Sequence, residues 1–212
     1  MIVGIVSDIH GNLPALEAVE AQLRHVDQVI CLGDVVNYGP WSDECLELLQ
    51  TLPQFLFLEG NHEAMFLGKT LISREIPLVR EFYRITKERF RRLDLIKGLP
   101  RETSRWNYLF THTLNEAKIY PETPITPPGN CFVGHTHCAF AVERGGFRVV
   151  NPGSVGQNRA RLDLASYALF DSESGKVTLS EITYSTDLLL AEMQARNYPP
   201  ECLAYYRKKV GK

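Results

Sequence analysis

The chain has 212 residues, 44% of them hydrophobic and 23% charged, a size and composition that suit one globular domain with a sizeable core. They exclude a disordered tail, a collagen-like repeat and a coiled coil. With 23 basic against 25 acidic side chains and a net charge of −2, no global field draws the chain to nucleic acid or to an anionic membrane.

In chain order, a first apolar run, Ile2 to Val6, ends in SDIHGN. Its five residues, with no basic flank, are too short for a signal peptide. Leu13, Leu16, Val19 and Leu23 then recur at helical spacing, with Asn12 as a cap and Pro14 in the first turn. A second run, Val29 to Leu32, ends in GDVVNYGP. Ser42 is the expected cap of a second helix, whose buried side is Cys45, Leu46, Leu48, Leu49 and Leu52. A third run, Phe55 to Leu58, ends in EGNHE, completing β-α-β-α-β. Residues 64–97 read as an amphipathic helical insertion carrying Met65, Phe66, Val79, Phe82, Ile85 and Phe90. From 107 the pattern predicts strands at 107–111, 130–134, 138–143, 146–151, 165–171 and 176–183. Gly145-Gly146 reads as a hairpin turn, and helices are expected over 185–196 and 200–209. The proline-rich stretch 121–129 reads as a surface loop, because it lies between two strands that both end in polar motifs. The whole of 1–212 is expected to be one domain, with 185–212 as a helical extension.

Five of the six histidines follow a short apolar run directly. Polar residues thus gather at the carboxyl ends of strands, the edge where open α/β sheets bind ligands. Seven of them are candidate metal ligands: Asp8, His10, Asp34, Asn61, His112, His135 and His137. On extended strand ends Asp8 and His10 would point to one side, and so would His135 and His137. Carboxylate, imidazole and amide oxygens without thiolate suit Mn²⁺, Fe, Zn²⁺ or Ni²⁺. Seven ligands are too many for one catalytic zinc. They are about right for two ions that share a carboxylate, a pair suited to a phosphate ester because it clamps both oxygens of an in-line displacement.

SDIHGN, GDVVNYGP, GNHE, the isolated His112, GHTH and NPGSVGQ, in that order over residues 1 to about 183, resemble the calcineurin-like metallophosphoesterases, specifically their small bacterial and archaeal phosphodiesterase branch. The resemblance implies a four-layer α/β/β/α sandwich with two mixed sheets. It implies that Asp8, His10, Asp34 and His137 hold one ion, that Asp34 bridges, and that Asn61, His112 and His135 complete the second site. It makes His62 the catalytic residue, the acid that protonates the leaving oxygen or stabilises its charge, with Glu63 either orienting it or standing as a surface acid. The expected reaction is hydrolysis of a phosphodiester or phosphomonoester by a metal-bridging hydroxide, with manganese the foremost of the two divalent ions.

Two departures from the branch stand out. Thr113 replaces the usual glycine after His112, where a side chain could crowd the second ion. Asn37 and Tyr38 stand where protein phosphatases carry a phosphate-gripping arginine. Asn37, Tyr38 and Ser154 are the candidate substrate contacts, Ser154 because NPGS either offers backbone N–H groups to a substrate or forms a tight turn, and Arg159 and Arg161 either contact phosphate or are solvated surface. The basic residues of 84–97 either steer an anionic substrate or form an exposed helix face. The 64–97 segment would be a lid or wall over the site, or an apolar face in a homo-oligomer. The five cysteines, odd in number and without a CxxC pair, fit free thiols in a reducing compartment. Location is expected to be cytoplasmic. The expected partner is a small phosphate ester, with nucleic acid only as a substrate and no membrane. Two other readings are a non-catalytic metal-binding scaffold of the same fold, which would tend to lose His62, and a hydrolase of dinucleoside polyphosphates or phosphoproteins.

Overall fold

A computed structural model describes residues 1–210; residues 211 and 212, the tail of the expected C-terminal extension, lie outside the described residues. The elements run β1 (Ile2–Val6), α1 (Leu13–Leu23), β2 (Gln28–Cys31), α2 (Ser42–Leu49), β3 (Leu56–Phe57), α3 (Asn61–Phe66), α4 (Pro77–Arg89), α5 (Leu93–Ile96), β4 (Glu102–Arg105) and β5 (Tyr108–Thr111). Then follow β6 (Asn130–Phe132), β7 (Phe140–Arg144), β8 (Phe147–Asn151), β9 (Leu164–Asp171), β10 (Val177–Thr183), α6 (Asp187–Ala195) and α7 (Pro200–Arg207). One five-stranded sheet has the order β10-β9-β1-β2-β3 and the other β4-β5-β6-β8-β7. In the first, β1, β2 and β3 are parallel; in the second, β5, β6 and β8 are. Antiparallel strands flank each parallel trio.

The sheets face each other through a shared apolar layer. Val3, Ile5, Ile30 and Leu32 from one sheet meet Tyr108, Phe110, Phe132 and Val150 from the other. Alternate residues of the same strands point outward, and Val6, Val29 and Cys31 are covered by Leu16, Val19, Cys45 and Leu46 of α1 and α2. The outer face of the second sheet is covered by chain between β5 and β6, through Leu114, Ile119 and Ile125. The proline-rich stretch therefore packs on the sandwich. Helices α4, α6 and α7 form a separate apolar cluster built on Phe82, Ile85, Leu189, Met193, Cys202 and Tyr206.

Three expectations change. The helical insertion starts at Asn61, not 64, and is broken into α3, a 3₁₀ turn at Ile72–Arg74, α4 and α5. Strand β4 has no counterpart in the sequence pattern, because Glu102-Thr103-Ser104-Arg105 carries almost no apolar alternation; it is an edge strand with mostly exposed side chains. Ser42 is the first residue of α2 rather than its cap, and its hydroxyl accepts the Asn37 backbone N–H at 3.2 Å. Asn12 does cap α1, accepting from Ala15 N at 3.3 Å. No helix among the described residues is long and apolar enough to cross a membrane.

Candidate metal centre

All six parallel strands run into the same edge, so the loops after them converge there. Pairing continues past the strand ends: Asp8 N donates to Gly33 O at 3.0 Å, His10 N to Asp34 O at 3.0 Å, and Gly11 N to Val35 O at 2.8 Å. The backbone that does this is not extended. Asp8, His10, Asp34, Asn37, Tyr38, His135 and His137 all have φ between 50° and 75°, seven of the thirteen left-handed non-glycine residues described. Such a conformation costs an L-residue on the order of 1–2 kcal/mol, and it concentrates at functional sites. The same-side argument from strand alternation therefore fails. Asp8 and His10 come together through two left-handed turns, while His135 and His137 point into different groups.

Two groups of ligand atoms result, Asp8–His10–His137 and Asp34–His112–His135, and Asp34 also lies within reach of His10 and His62. In the first, His137 Nε2 is 3.2 Å from Asp8 Oδ1 and 3.2 Å from His10 Nε2. The far nitrogens are fixed: His10 Nδ1 donates to Val36 O at 3.3 Å and His137 Nδ1 to Gln157 O at 2.9 Å. Both Nε2 lone pairs therefore face the carboxylate, as in metal-binding histidines. In the second, His112 Nε2 lies 3.1 Å from Asp34 Oδ2 and 3.0 Å from Asn61 Oδ1. Seven predicted ligands are thus brought to one edge.

The donor set fits divalent cations. Asp8 Oδ1 is buried without a hydrogen-bond partner among the described residues, and imidazole nitrogens face it where a donor would be needed. Burial pushes the Asp34 carboxyl up, but His112 beside it holds it well below the carboxylate range. Burial draws His112 down, yet Asp34 carries it up to about 9. Burial and His112 bring His135 down to about 4. Two buried carboxylates among these imidazoles make the site a candidate for a cation.

Hydrogen bonds behind the ligands set their positions. Asp8 Oδ2 accepts from Ser7 Oγ at 2.6 Å and from His135 N at 3.0 Å, and Asp34 Oδ1 accepts from His62 N at 2.8 Å. Glu63 neither orients His62 nor sits on the surface. Its buried carboxylate collects four backbone N–H groups: Asp34 at 2.8 Å, Gly60 at 2.9 Å, Val35 at 2.8 Å and Val36 at 3.2 Å. Asn37 takes the orienting role, its Nδ2 donating to His62 Nδ1 at 2.9 Å while its Oδ1 accepts from Thr86 Oγ1 at 2.8 Å. With Nδ1 an acceptor, the neutral His62 ring carries its proton on Nε2, which is 3.9 Å from Asp34 Oδ2. Burial lowers the His62 pKa against the opposing pull of Asp34.

The expected substrate contacts are placed differently. Asn37 is fully buried beneath His62. Ser154 is also fully buried; its hydroxyl donates its only proton to Asp8 O at 2.6 Å and accepts from Gln157 N at 2.7 Å, so it has no donor to offer a substrate. The NPGSVGQ segment is a clasp, with Val155 N and Gly156 N donating to Ser7 O and Asp8 O. Tyr38 is half-buried, its ring 4.8 Å from His10 and 5.2 Å from His62. Thr113 lines a cleft of about 410 Å³ together with Asn61, His112 and His135. It leaves the His112 contacts to Asp34 and Asn61 intact. Arg159 is exposed over the Tyr120 ring, Arg161 pairs with Asp163, and the basic row pairs locally, Arg84 with Glu81 and Arg92 with Glu47 and Asp94. The positioning roles of Asn37 and Gln157 are the main features that sequence reasoning misses. Neither titrates, and only the fold brings them to His62 and His137.

Residues 1–175 match the calcineurin-like phosphoesterase superfamily domain. The chain belongs to that family. It is 31% identical to the uncharacterized protein MJ0912 of Methanocaldococcus jannaschii, over 95% of each chain. A metallophosphoesterase from Sphaerobacter thermophilus is 27% identical and superposes with a TM-score of 0.80, covering 99% of this chain and 100% of that one. A structure described as a novel archaeal phosphodiesterase shares the fold at 18% identity and a TM-score of 0.53, over 86% of this chain and 100% of its own.

Proposed function

We propose that the chain is a two-metal phosphoesterase acting on a small phosphodiester or phosphomonoester. The observation that supports this reading is the pair of largely buried ligand groups, joined where Asp34 of one comes within reach of His10 of the other, with His62 beside them but tied through Nδ1 to Asn37. Asp8, His10, Asp34 and His137 would hold one ion, and Asp34, Asn61, His112 and His135 the other. Two divalent ions there would supply an activated water and neutralise charge on the phosphoryl oxygens, and manganese suits the oxygen–imidazole donor set. His62 presents its Nε2 proton toward the leaving oxygen, and Asn37 fixes the ring that carries it. Glu63 holds the Asp34 loop so that its carboxylate can serve both ions. The cleft beside Asn61 and His112 gives the organic part of the ester a place to lie.

The test is hydrolysis of bis-p-nitrophenyl phosphate before chelation, after it, and after Mn²⁺ is restored. Activity should vanish and return. His62→Ala should lower turnover by about 10²–10⁴-fold with metal content unchanged. Hydrolysis that persists in chelator, or a variant with wild-type turnover, would overturn the reading.

A further inference from the structure

We propose that helix α7, which lies beyond the matched family region, is a positioning element for the ion held by Asp8, His10 and His137. This rests on the two-metal reading above. The far side of the His137 ring is fixed by Nδ1, which donates to the Gln157 carbonyl at 2.9 Å. Gln157 is buried, and α7 grips both ends of its side chain. Tyr205 Oη donates to Gln157 Oε1 at 3.1 Å, and Gln157 Nε2 donates to Tyr206 Oη at 3.2 Å. The directions are consistent, because Lys209 Nζ donates to Tyr205 Oη at 3.0 Å and leaves the phenol proton for the amide.

The same helix reaches the group by a second route. The Tyr205 ring stacks on Tyr38 at 6.3 Å and 30°, and Tyr38 packs edge-on against His10 at 4.8 Å. Two of the three side chains in that group are therefore backed by α7. The backing for His112 and Asp34 comes from elsewhere: Asn61, Glu63 and His62 of α3. Partners behind a ligand typically change metal affinity by 10–100-fold. Loss of the two phenol hydroxyls should thus weaken one ion site and spare the other.

The experiment is a calorimetric titration of metal-free protein with Mn²⁺, resolving two classes of site, with thermal unfolding followed in parallel. The variant is Tyr205→Phe combined with Tyr206→Phe, with each single variant beside it. Tyr198→Phe is the control, since Tyr198 belongs to the same apolar cluster and its buried hydroxyl bonds nothing among the described residues. The expected result is a roughly 10-fold or greater loss of affinity at one site, no change at the other, and wild-type binding by the control. Two unchanged sites would overturn the proposal. So would equal weakening of both sites, or equal weakening by Tyr198→Phe, since each marks a general loss of packing. Wild-type protein that takes up no Mn²⁺ would overturn the two-metal reading itself, and this inference with it.

Discussion

Gly134→Ala places a methyl group where the structure has no room for one. A Cβ at that position would lie 2.2 Å from Ser7 Oγ, 3.1 Å from Asp8 Oδ2 and 3.3 Å from His112 Nδ1. The first contact is impossible, so the Ser7 hydroxyl must turn away, which breaks its 2.6 Å bond to Asp8 Oδ2. Overpacking a buried site costs about 1–3 kcal/mol, and a hydrogen bond to a charged group is worth about 1.5–3 kcal/mol. Together they predict about 2.5–6 kcal/mol. At roughly 2–4 °C per kcal/mol for a chain of this size, the midpoint of thermal unfolding should fall by about 5–24 °C. The mechanism makes a sharper claim than the magnitude. Ser7→Ala alone loses the hydrogen bond but keeps the fold, and it removes the atom that the added methyl group would strike. The two changes share one cost, so the double variant should be more stable than the sum of the singles by at least about 1.5 kcal/mol. Urea unfolding of the four proteins measures that difference. Costs that add to within about 0.5 kcal/mol would refute the argument, because the clash would then not run through Ser7.

Three further outcomes follow from the same contacts. Glu63→Ala strips four backbone N–H groups of their acceptor, and it should cost more than about 3 kcal/mol in urea unfolding and free the Asp34 loop. Asn37→Ala should lower kcat by about 10-fold or more with KM little changed, because it unlocks the His62 ring and touches no substrate; steady-state kinetics on bis-p-nitrophenyl phosphate separates the two. Chelation should lower the unfolding midpoint, since ions held at about 100 times their Kd stabilise the fold by about 2.7 kcal/mol, and scanning calorimetry with and without Mn²⁺ reads the shift.

Chemistry was more legible than geometry in this sequence. Short apolar runs ended by polar residues marked the strand ends, because buried parallel strands must be apolar and the ligands must sit where they stop. That reasoning singled out Asp8, His10, Asp34, Asn61, His112, His135 and His137, which the structure brings to one edge, while the role of His62 came from the family resemblance. It did not find β4, whose polar edge position needs no apolar pattern. It misread Glu63, three of whose four partners, Asp34, Val35 and Val36, lie in a turn that sequence cannot place beside it. The pairwise logic for Asp8 with His10, and for His135 with His137, assumed extended backbone, and residue identity alone gave no warning of left-handed turns. Asn37 and Ser154 sit in motifs next to ligands and so invited a substrate role. Their burial follows only from the way Thr86 on α4 and Gln157 on the clasp close over them.

The left-handed turns bear on why the site is built as it is. Seven strained residues at on the order of 1–2 kcal/mol each would consume much of a typical domain's net stability. To this is added the cost of burying two carboxylates among imidazoles that lack enough protons to pair with them. Backbone pairing between the 8–11 and 33–35 loops holds the turns, and Glu63 and the NPGSVGQ clasp satisfy the N–H and C=O groups that the turns expose. None of these contacts answers the unpaired Asp8 oxygen or the facing nitrogens of His10 and His137. A divalent cation placed between them would answer all three acceptors at once, and the left-handed turns that strain the backbone are what hold those acceptors together. On the two-metal reading, a fold that holds these ligand atoms close before any ion arrives would favour binding and leave little reorganisation for the proposed reaction. A substitution that relaxed the turns, such as Asp34→Gly, should therefore loosen metal binding by more than the loss of one carboxylate, and the excess over Asp34→Ala in a Mn²⁺ titration measures what the held turn contributes.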